Sequence, residues 1–78
     1  MIWGRVEVLS NDSDACRAAL ARYSAILVGV SHAPKRNRYL VFDKDRWTVT
    51  KQNQNGSVAV IRTFDHPISA VFYIRKNS

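Results

Sequence analysis

Residues able to act as nucleophiles, proton carriers or metal ligands are few in this sequence and lie far apart. It contains one cysteine, Cys16, and two histidines, His32 and His66. Asp65 directly precedes His66, but neighbours in a chain do not in general face one another, and a catalytic triad also needs a nucleophile and an oxyanion pocket. Neither histidine has a Cys, Asp or Glu at a metal-ligand spacing. We therefore expect a protein that is not an enzyme, with no catalytic residues, no metal and no cofactor.

Cys16 also limits how the fold can be stabilised. One thiol cannot form an internal disulfide, so a chain of 78 residues must rely on packing or on self-association, which leaves a homodimer open. Cys16 falls on the apolar side of a predicted helix, where a free cysteine usually behaves as a small buried hydrophobe. The N-terminus lacks a signal-peptide pattern, and the longest nearly apolar stretch, residues 25–30, is roughly a third of a membrane-spanning helix. We expect a cytoplasmic protein with no membrane association.

Basic residues stand out more than any other feature. Twelve Lys and Arg against six Asp and Glu give a net charge of +6, and residues 35–51 alone hold six cations and two aspartates. Tyr39 and Trp47 interleave with these cations and offer flat surfaces for stacking on bases or guanidinium groups, although both can equally fill the core, and a net charge of about 2 to 8 is ordinary for a small domain. The predicted partner is an acidic protein surface or a nucleic acid. The residues assigned to this contact are Lys35, Arg36, Arg38, Lys44, Arg46, Trp47, Lys51 and Arg62.

These side chains must be positioned by a sheet, and the first predicted strand spans residues 2–9. Apolar and polar side chains alternate there, with Ile2, Val6 and Val8 on one side. Trp3 then falls on the opposite side. It is interpreted either as packed under a helix or as an exposed anchor of an interface.

A helix is predicted directly after this strand. Residues 10–14 offer N-cap oxygens and two carboxylates for the first turn, and the helix body follows over residues 15–23. Its apolar stripe consists of Cys16, Ala19, Leu20 and Tyr23. Residues 25–31 are predicted as a buried strand, while the alternative keeps them as the end of the helix with Gly29 as its C-cap.

Two hairpins follow in the second half of the chain. The first joins strands 39–43 and 46–51 through a type I turn, which the aspartates between them favour. The second is centred on Asn55 and Gly56, a pair that favours a type I′ turn, and it leads into a strand over residues 58–64.

Residues 67–76 can be a helix or a strand. A helix is favoured by Asp65 or His66 as a cap and by Pro67 in the first turn, whereas the alternating apolar residues behind them also fit a strand. In the strand before this segment, Val58, Val60, Arg62 and Phe64 are predicted to share one face.

The second half of the chain carries a recurring small-domain pattern: Tyr39-Leu40-Val41-Phe42, Trp47-Thr48-Val49, Asn55-Gly56, Arg62-Thr63-Phe64-Asp65, then Ala70 and Tyr73. This pattern resembles modules of a three-stranded sheet and one helix that occur in many bacterial and phage proteins, and it is distantly similar to the DNA-binding domain of plant ethylene-response factors. The resemblance covers about half of the chain and implies a helix over residues 67–76. In the DNA-reading relatives the sheet face carries several Arg and Trp residues. Here only Arg46, Trp47 and Arg62 could play that part, so the resemblance does not carry sequence-specific DNA binding over to this chain.

The sequence thus predicts a single small α+β domain over residues 1–78, with an antiparallel sheet of about four to five strands packed against one or two helices. Its expected function is non-enzymatic binding to a larger protein or nucleoprotein complex. The resemblance implies a phage or mobile-element accessory protein, an anti-CRISPR-like inhibitor being one example. The alternative is a nucleic-acid-binding module that uses the basic loop and hairpin of residues 35–51.

Overall fold

The computed structural model describes residues 1–27 and 34–76 of the chain. Within these ranges the polypeptide forms one sheet of five strands, two α-helices and one 3₁₀ turn, which confirms the predicted α+β class. The strands are β1 (Ile2–Trp3), β2 (Val6–Ser10), β3 (Arg38–Asp43), β4 (Arg46–Gln52) and β5 (Val58–Phe64). The helices are α1 (Ser13–Ala21) and α2 (Pro67–Lys76), and the 3₁₀ turn spans Ser24–Leu27.

The strands lie in the sheet in the order in which they occur in the chain. Neighbouring strands are antiparallel except β2 and β3, which are parallel, with Glu7 opposite Tyr39 and Ser10 opposite Phe42. Parallel neighbours need a crossover of a dozen or more residues, and the segment that contains α1 supplies it. The predicted antiparallel sheet is thus mostly confirmed, and the parallel β2–β3 pair makes it a mixed sheet.

A tight turn divides the predicted first strand into β1 and β2. Gly4 and Arg5 both have positive φ values, 55° and 68°, as the two central residues of a type I′ turn do. Trp3 therefore lies directly opposite Val6, and both side chains are buried. The prediction of one continuous strand was wrong, and so was the exposed position considered for Trp3.

Helix α1 confirms the predicted helix, although it ends at Ala21 and not at residue 23, and it begins at a side-chain cap. The Ala15 N–H donates to Asp12 Oδ1 at 3.1 Å, which satisfies one of the free donors of the first turn. Cys16 and Leu20 are buried, and the other two members of the predicted stripe, Ala19 and Tyr23, pack against the core. The strand predicted over residues 25–31 is wrong for its first three residues, which lie in the 3₁₀ turn; the rest of that segment lies outside the described residues.

Both predicted hairpin turns occur, but with other geometries. Lys44 and Asp45 have φ values of 49° and 62°, so the β3–β4 turn is of type I′ and not of type I. Between β4 and β5, the Gly56 N–H donates to the Asn53 carbonyl at 3.0 Å, and the Asn53 N–H donates to the Ser57 carbonyl at 2.8 Å. Gly56 alone has a positive φ in this loop, which is a longer connection than the predicted two-residue turn.

The C-terminal segment is a helix, capped by the histidine that precedes it. The Ile68 N–H donates to His66 Nδ1 at 3.2 Å, and Pro67 occupies the first helical position. Helix α2 therefore confirms the helical alternative. In β5, the register shifts so that Thr50 pairs with Val60 while Val49 pairs with Arg62. This bulge places Val60 and Arg62 on opposite faces, which corrects their predicted common face.

The hydrophobic core lies between the two helices and one face of the sheet. It is built from the inward residues of the strands, including Val6, Val8, Leu40, Phe42, Trp47 and Val49, and from Cys16, Leu20, Ala70, Val71 and Ile74 of the helices. The strand residues that alternate with these belong to the second face of the sheet, and no helix of the described residues covers that face.

Candidate interaction surface

Cations from four separate parts of the chain meet at one end of the sheet. Arg5 of the β1–β2 turn, and Lys35, Arg36 and Arg38 before and in β3, line a shallow surface cavity of about 400 Å³. The single carboxylate in the lining of this cavity is Glu7. Four positive charges around one concavity attract an anionic group more strongly than the same charges dispersed over the surface.

Lys51 belongs to the same end because it is the direct cross-strand neighbour of Arg38. Like charges in directly opposed positions of an antiparallel pair are destabilising. The pairing is held by the backbone next to it, where the Gln52 N–H donates to the Asn37 carbonyl at 2.9 Å. Asn37 has a positive φ of 67°, a conformation that asparagine tolerates better than most residues.

The end of α2 adds two further cations. The Arg75 Nη2 donates a hydrogen bond to the Gly4 carbonyl, so the helix ends over the turn that carries Arg5. Burial lowers the pKa of Arg75 from its ordinary value, and the nearby charge of Arg5 acts in the same direction. Arginine stays protonated despite such a shift. We call this surface the basic end; it consists of Arg5, Lys35, Arg36, Arg38, Lys51, Arg75 and Lys76.

The opposite end of the sheet carries most of the acidic residues. Asp43 ends β3 and Asp45 lies in the β3–β4 turn. Asp65 follows the last residue of β5, and the first turn of α1 begins after β2 at the same end. This acidic end consists of Asp12, Asp14, Asp43, Asp45 and Asp65, five of the six carboxylates of the chain. The charges are thus separated along the strands.

The predicted set of contact residues is divided by this arrangement. Lys35, Arg36, Arg38 and Lys51 lie at the basic end, whereas Lys44 and Arg46 lie among the aspartates of the acidic end. Five residues of β3 separate the two groups, a distance of about 17 Å. The contiguity of residues 35–51 in sequence is therefore not contiguity in space.

Trp47 and Arg62 occupy other positions. Trp47 is 3% exposed and packs on Phe42 with ring centroids 4.5 Å apart, so the prediction that it offers a flat contact surface is wrong. The Arg62 guanidinium lies 5.1 Å from the centroid of Phe64 and 5.7 Å from that of Tyr73, on the helix side of the sheet. Arg46 pairs with Asp43 on the other face. The three residues that match the DNA-reading pattern do not share one face.

The uncovered face of the sheet is the main feature that the sequence analysis missed. Ile2, Leu9 and Val60 are 66%, 45% and 69% exposed on it. Tyr39 is half-buried between them, and its hydroxyl donates to Gln52 Oε1 at 3.1 Å. We call this surface the open face; by the pairing register it contains the apolar or aromatic residues Ile2, Leu9, Tyr39, Val41 and Val60, and the polar residues Glu7, Thr48, Thr50 and Thr63 among them. In β2 and β3, apolar residues occur on both faces of the strand, whereas a face that only contacts solvent normally carries polar residues. This departure from alternation was the signal available in the sequence.

Cys16 and His66 both have structural roles. Cys16 lies on the buried side of α1, and burial raises the pKa of its thiol. His66 caps α2 and packs edge-on against Tyr23, with ring centroids 4.5 Å apart. Among residues 1–27 and 34–76 no group of three or more His, Cys, Asp or Glu side chains could hold a metal ion. His32 lies outside the described residues.

No helix in the described parts of the chain is both long enough and apolar enough to cross a membrane. Comparison with protein-family models, curated proteins and solved structures finds no match to this chain.

Proposed function

We propose that this chain is a non-enzymatic binding protein that docks on an acidic area of a larger protein through its open face and its basic end. The observation that carries the proposal is the continuity of these two surfaces. Ile2 and Tyr39 of the open face line the same cavity as Arg5, Lys35 and Arg36. An apolar area with a charged border is the ordinary composition of a protein interface.

The two parts of the surface contribute in different ways. Removing Ile2, Leu9 and Val60 from water supplies favourable binding free energy, at about 25 cal/mol for each Å² of apolar area buried. The cations accelerate association with an acidic partner and fix its orientation, while they repel basic surfaces. The partner that fits is therefore a protein patch with an apolar centre and carboxylates on one side.

A second candidate is a nucleic acid, favoured by the four cations around one cavity at the basic end. Such a cluster suits consecutive phosphates of a backbone. The two candidates differ in what happens on the open face, since phosphate contacts need the cations alone. With Trp47 in the core, the base-stacking surface expected beside these cations is reduced to the half-buried Tyr39.

The proposal is tested by capturing the partner with immobilised protein from a lysate of the native host, with and without nuclease. The test variant reverses Lys35, Arg36 and Arg38 to Glu. The control reverses Arg17, Arg22 and Lys44 to Glu; these residues are exposed and lie outside the basic end. Because each variant reverses three cations, the two have the same net charge. We expect a partner protein to be captured after nuclease treatment by the wild type and by the control, and to be lost by the test variant, which stays folded. Capture that survives in the test variant contradicts the proposal.

Retention on a phosphate polymer against salt concentration separates the two candidates. Several phosphate contacts predict a steep linear fall of log affinity with log salt. A further variant, Leu9→Lys, changes the open face while the basic end stays intact. Loss of protein capture in this variant supports docking through the open face, whereas a partner that is nuclease-sensitive and indifferent to Leu9→Lys identifies a nucleic acid.

A further inference from the structure

The strand β5 forms one edge of the sheet, with β4 on one side and no strand on its other side among the described residues. Its side chains are unusually apolar for an edge, because Val58, Val60 and Ile61 are 62%, 69% and 39% exposed. The opposite edge is formed by β1, which has only two residues. A strand of seven residues with free backbone groups is a template for pairing with another strand.

Natural proteins usually protect such an edge with proline, lysine or an inward charge. β5 contains no Pro and no Lys, and its one charged residue, Arg62, lies against Phe64 and Tyr73 on the helix side. The edge therefore carries two protecting devices, the inward-facing Arg62 and the bulge at Ile61, and the bulge divides the edge into two short halves. A partner strand must therefore accommodate this bulge.

The charge distribution indicates which partner fits. β5 begins at the basic end, where Ala59 pairs with Lys51, and it finishes at the acidic end, where Phe64 pairs with Trp47 and Asp65 follows. If two copies pair through β5 in antiparallel orientation, the basic end of each lies beside the acidic end of the other. A parallel arrangement would place like charges together at both ends, which costs free energy.

We propose that the chain forms a symmetric homodimer in which the two β5 strands pair antiparallel, with the twofold axis near Ile61. The two bulges then face each other, and residues 58–60 of one copy lie against residues 62–64 of the other. The two sheets become one sheet of ten strands. The open faces join into one continuous surface. The two basic ends lie at opposite ends of this surface along the strand direction. This inference does not depend on the proposed function, since the dimer pairs the backbone edge of β5 whereas docking uses the face of the sheet; Val60 borders both surfaces.

The first test is the molar mass by sedimentation velocity between 1 and about 100 μM. The expected wild-type mass is twice that of the 8.9 kDa chain. Ile61→Lys and Ile61→Glu each place two like charges close to the axis, so both are expected to raise the dimer Kd at least tenfold. Ile2→Lys introduces the same charge on the opposite edge and should leave the dimer intact. A monomeric wild type, or a dimer that survives both Ile61 variants, overturns the proposal.

A cross-link tests the orientation even if the charged variants fold poorly. Residues opposite each other in antiparallel strands have Cα atoms about 4.5–5.5 Å apart, which suits a disulfide. In a Cys16→Ala background, Ile61→Cys should form a disulfide-linked dimer on mild oxidation, whereas Ile2→Cys should not. Preferential cross-linking through Ile2→Cys overturns the proposal. Raised salt should weaken the dimer as it screens the attraction between the two ends, and a dimer that tightens with salt also contradicts it.

Discussion

Arg38 and Lys51 face each other directly across β3 and β4, so two positive charges occupy opposed positions in the sheet. Such a pair weakens the sheet where an opposite-charge pair would stabilise it. The sequence contains six carboxylates, yet none of them is placed opposite Arg38 or Lys51. Five of the six lie at the acidic end, near the strand ends there or at the first turn of α1. A repulsive contact inside a cationic cluster is expected where the surface binds an anionic partner.

Reversing Lys51 to Glu should therefore change stability and binding in opposite directions. The new Glu lies opposite Arg38 and should raise the free energy of unfolding by about 0.2–1 kcal/mol. The same change removes a cation from the basic end and should weaken partner binding. Urea denaturation and partner capture measure the two effects.

Lys44→Glu is the matched control for this variant, because it makes the same change of net charge among the aspartates of the acidic end. We expect it to leave binding unchanged and to give no gain in stability. If Lys51→Glu lowers stability, or if Lys44→Glu weakens binding equally, the interpretation of the basic end is wrong.

The elements predicted correctly are those specified by neighbouring residues. The stripe of α1, the strand β5 and the cap at His66 depend on spacings of a few residues and on local hydrogen bonds. The Gly4–Arg5 turn was missed because the residues on both of its sides still alternate between apolar and polar. The bulge at Ile61 was missed because nothing in the composition of β5 marks the point at which its pairing with β4 shifts register.

The interaction surface could be predicted only in part, for a different reason. Arg5 and Arg75 are 70 positions apart in sequence, and they join the basic end only because α2 finishes over the β1–β2 turn. Lys44 is close in sequence to Lys51 but lies at the other end of the sheet. Charge counted in a sequence window cannot resolve positions that depend on how strands pair.

Trp47→Ala should be among the most damaging single substitutions. Trp47 is buried against Phe42 and faces α2, so its removal leaves a cavity and should cost about 3–5 kcal/mol, enough to abolish folding if the domain is marginally stable. Tyr39→Ala is the control: Tyr39 is half-buried on the open face, so its removal should lower the free energy of unfolding clearly less than Trp47→Ala does. Near-UV circular dichroism and urea denaturation measure both. A larger loss from Tyr39→Ala contradicts the placement of Trp47 in the core.

The two glycines with positive φ should respond differently to alanine. Gly4 has a φ of 55°, and a Cβ there would lie 3.0 Å from Leu27 Cδ1, whereas Gly56 has a φ of 86° with open space around it. Gly56→Ala should cost only the backbone strain, about 1–2 kcal/mol, and Gly4→Ala should cost more. Adding Leu27→Ala removes the steric part, so the double variant should show a favourable coupling energy at Gly4 and none at Gly56. Equal losses from both glycine variants contradict the contact with Leu27.

Burial of Cys16 should make stability depend on alkaline pH. The thiol is buried and its pKa is raised in the folded protein, so the folded state holds its proton at pH values where the unfolded chain has released it. Below the ordinary thiol pKa both states are protonated and Cys16 contributes no pH dependence. Above it, ionisation favours the unfolded state, and stability falls with rising pH by at most about 1.4 kcal/mol per pH unit until the folded pKa is reached.

Cys16→Ala isolates this contribution, because every other titrating group is retained. Urea unfolding of both proteins at pH 8, 9 and 10 should show a steeper loss of stability in the wild type, while the alanine variant starts from a lower value owing to its small cavity. The wild-type thiol should also react with a thiol reagent no faster than the protein opens, since burial protects it in the native state. Parallel pH profiles, or rapid labelling under native conditions, would show that Cys16 is accessible.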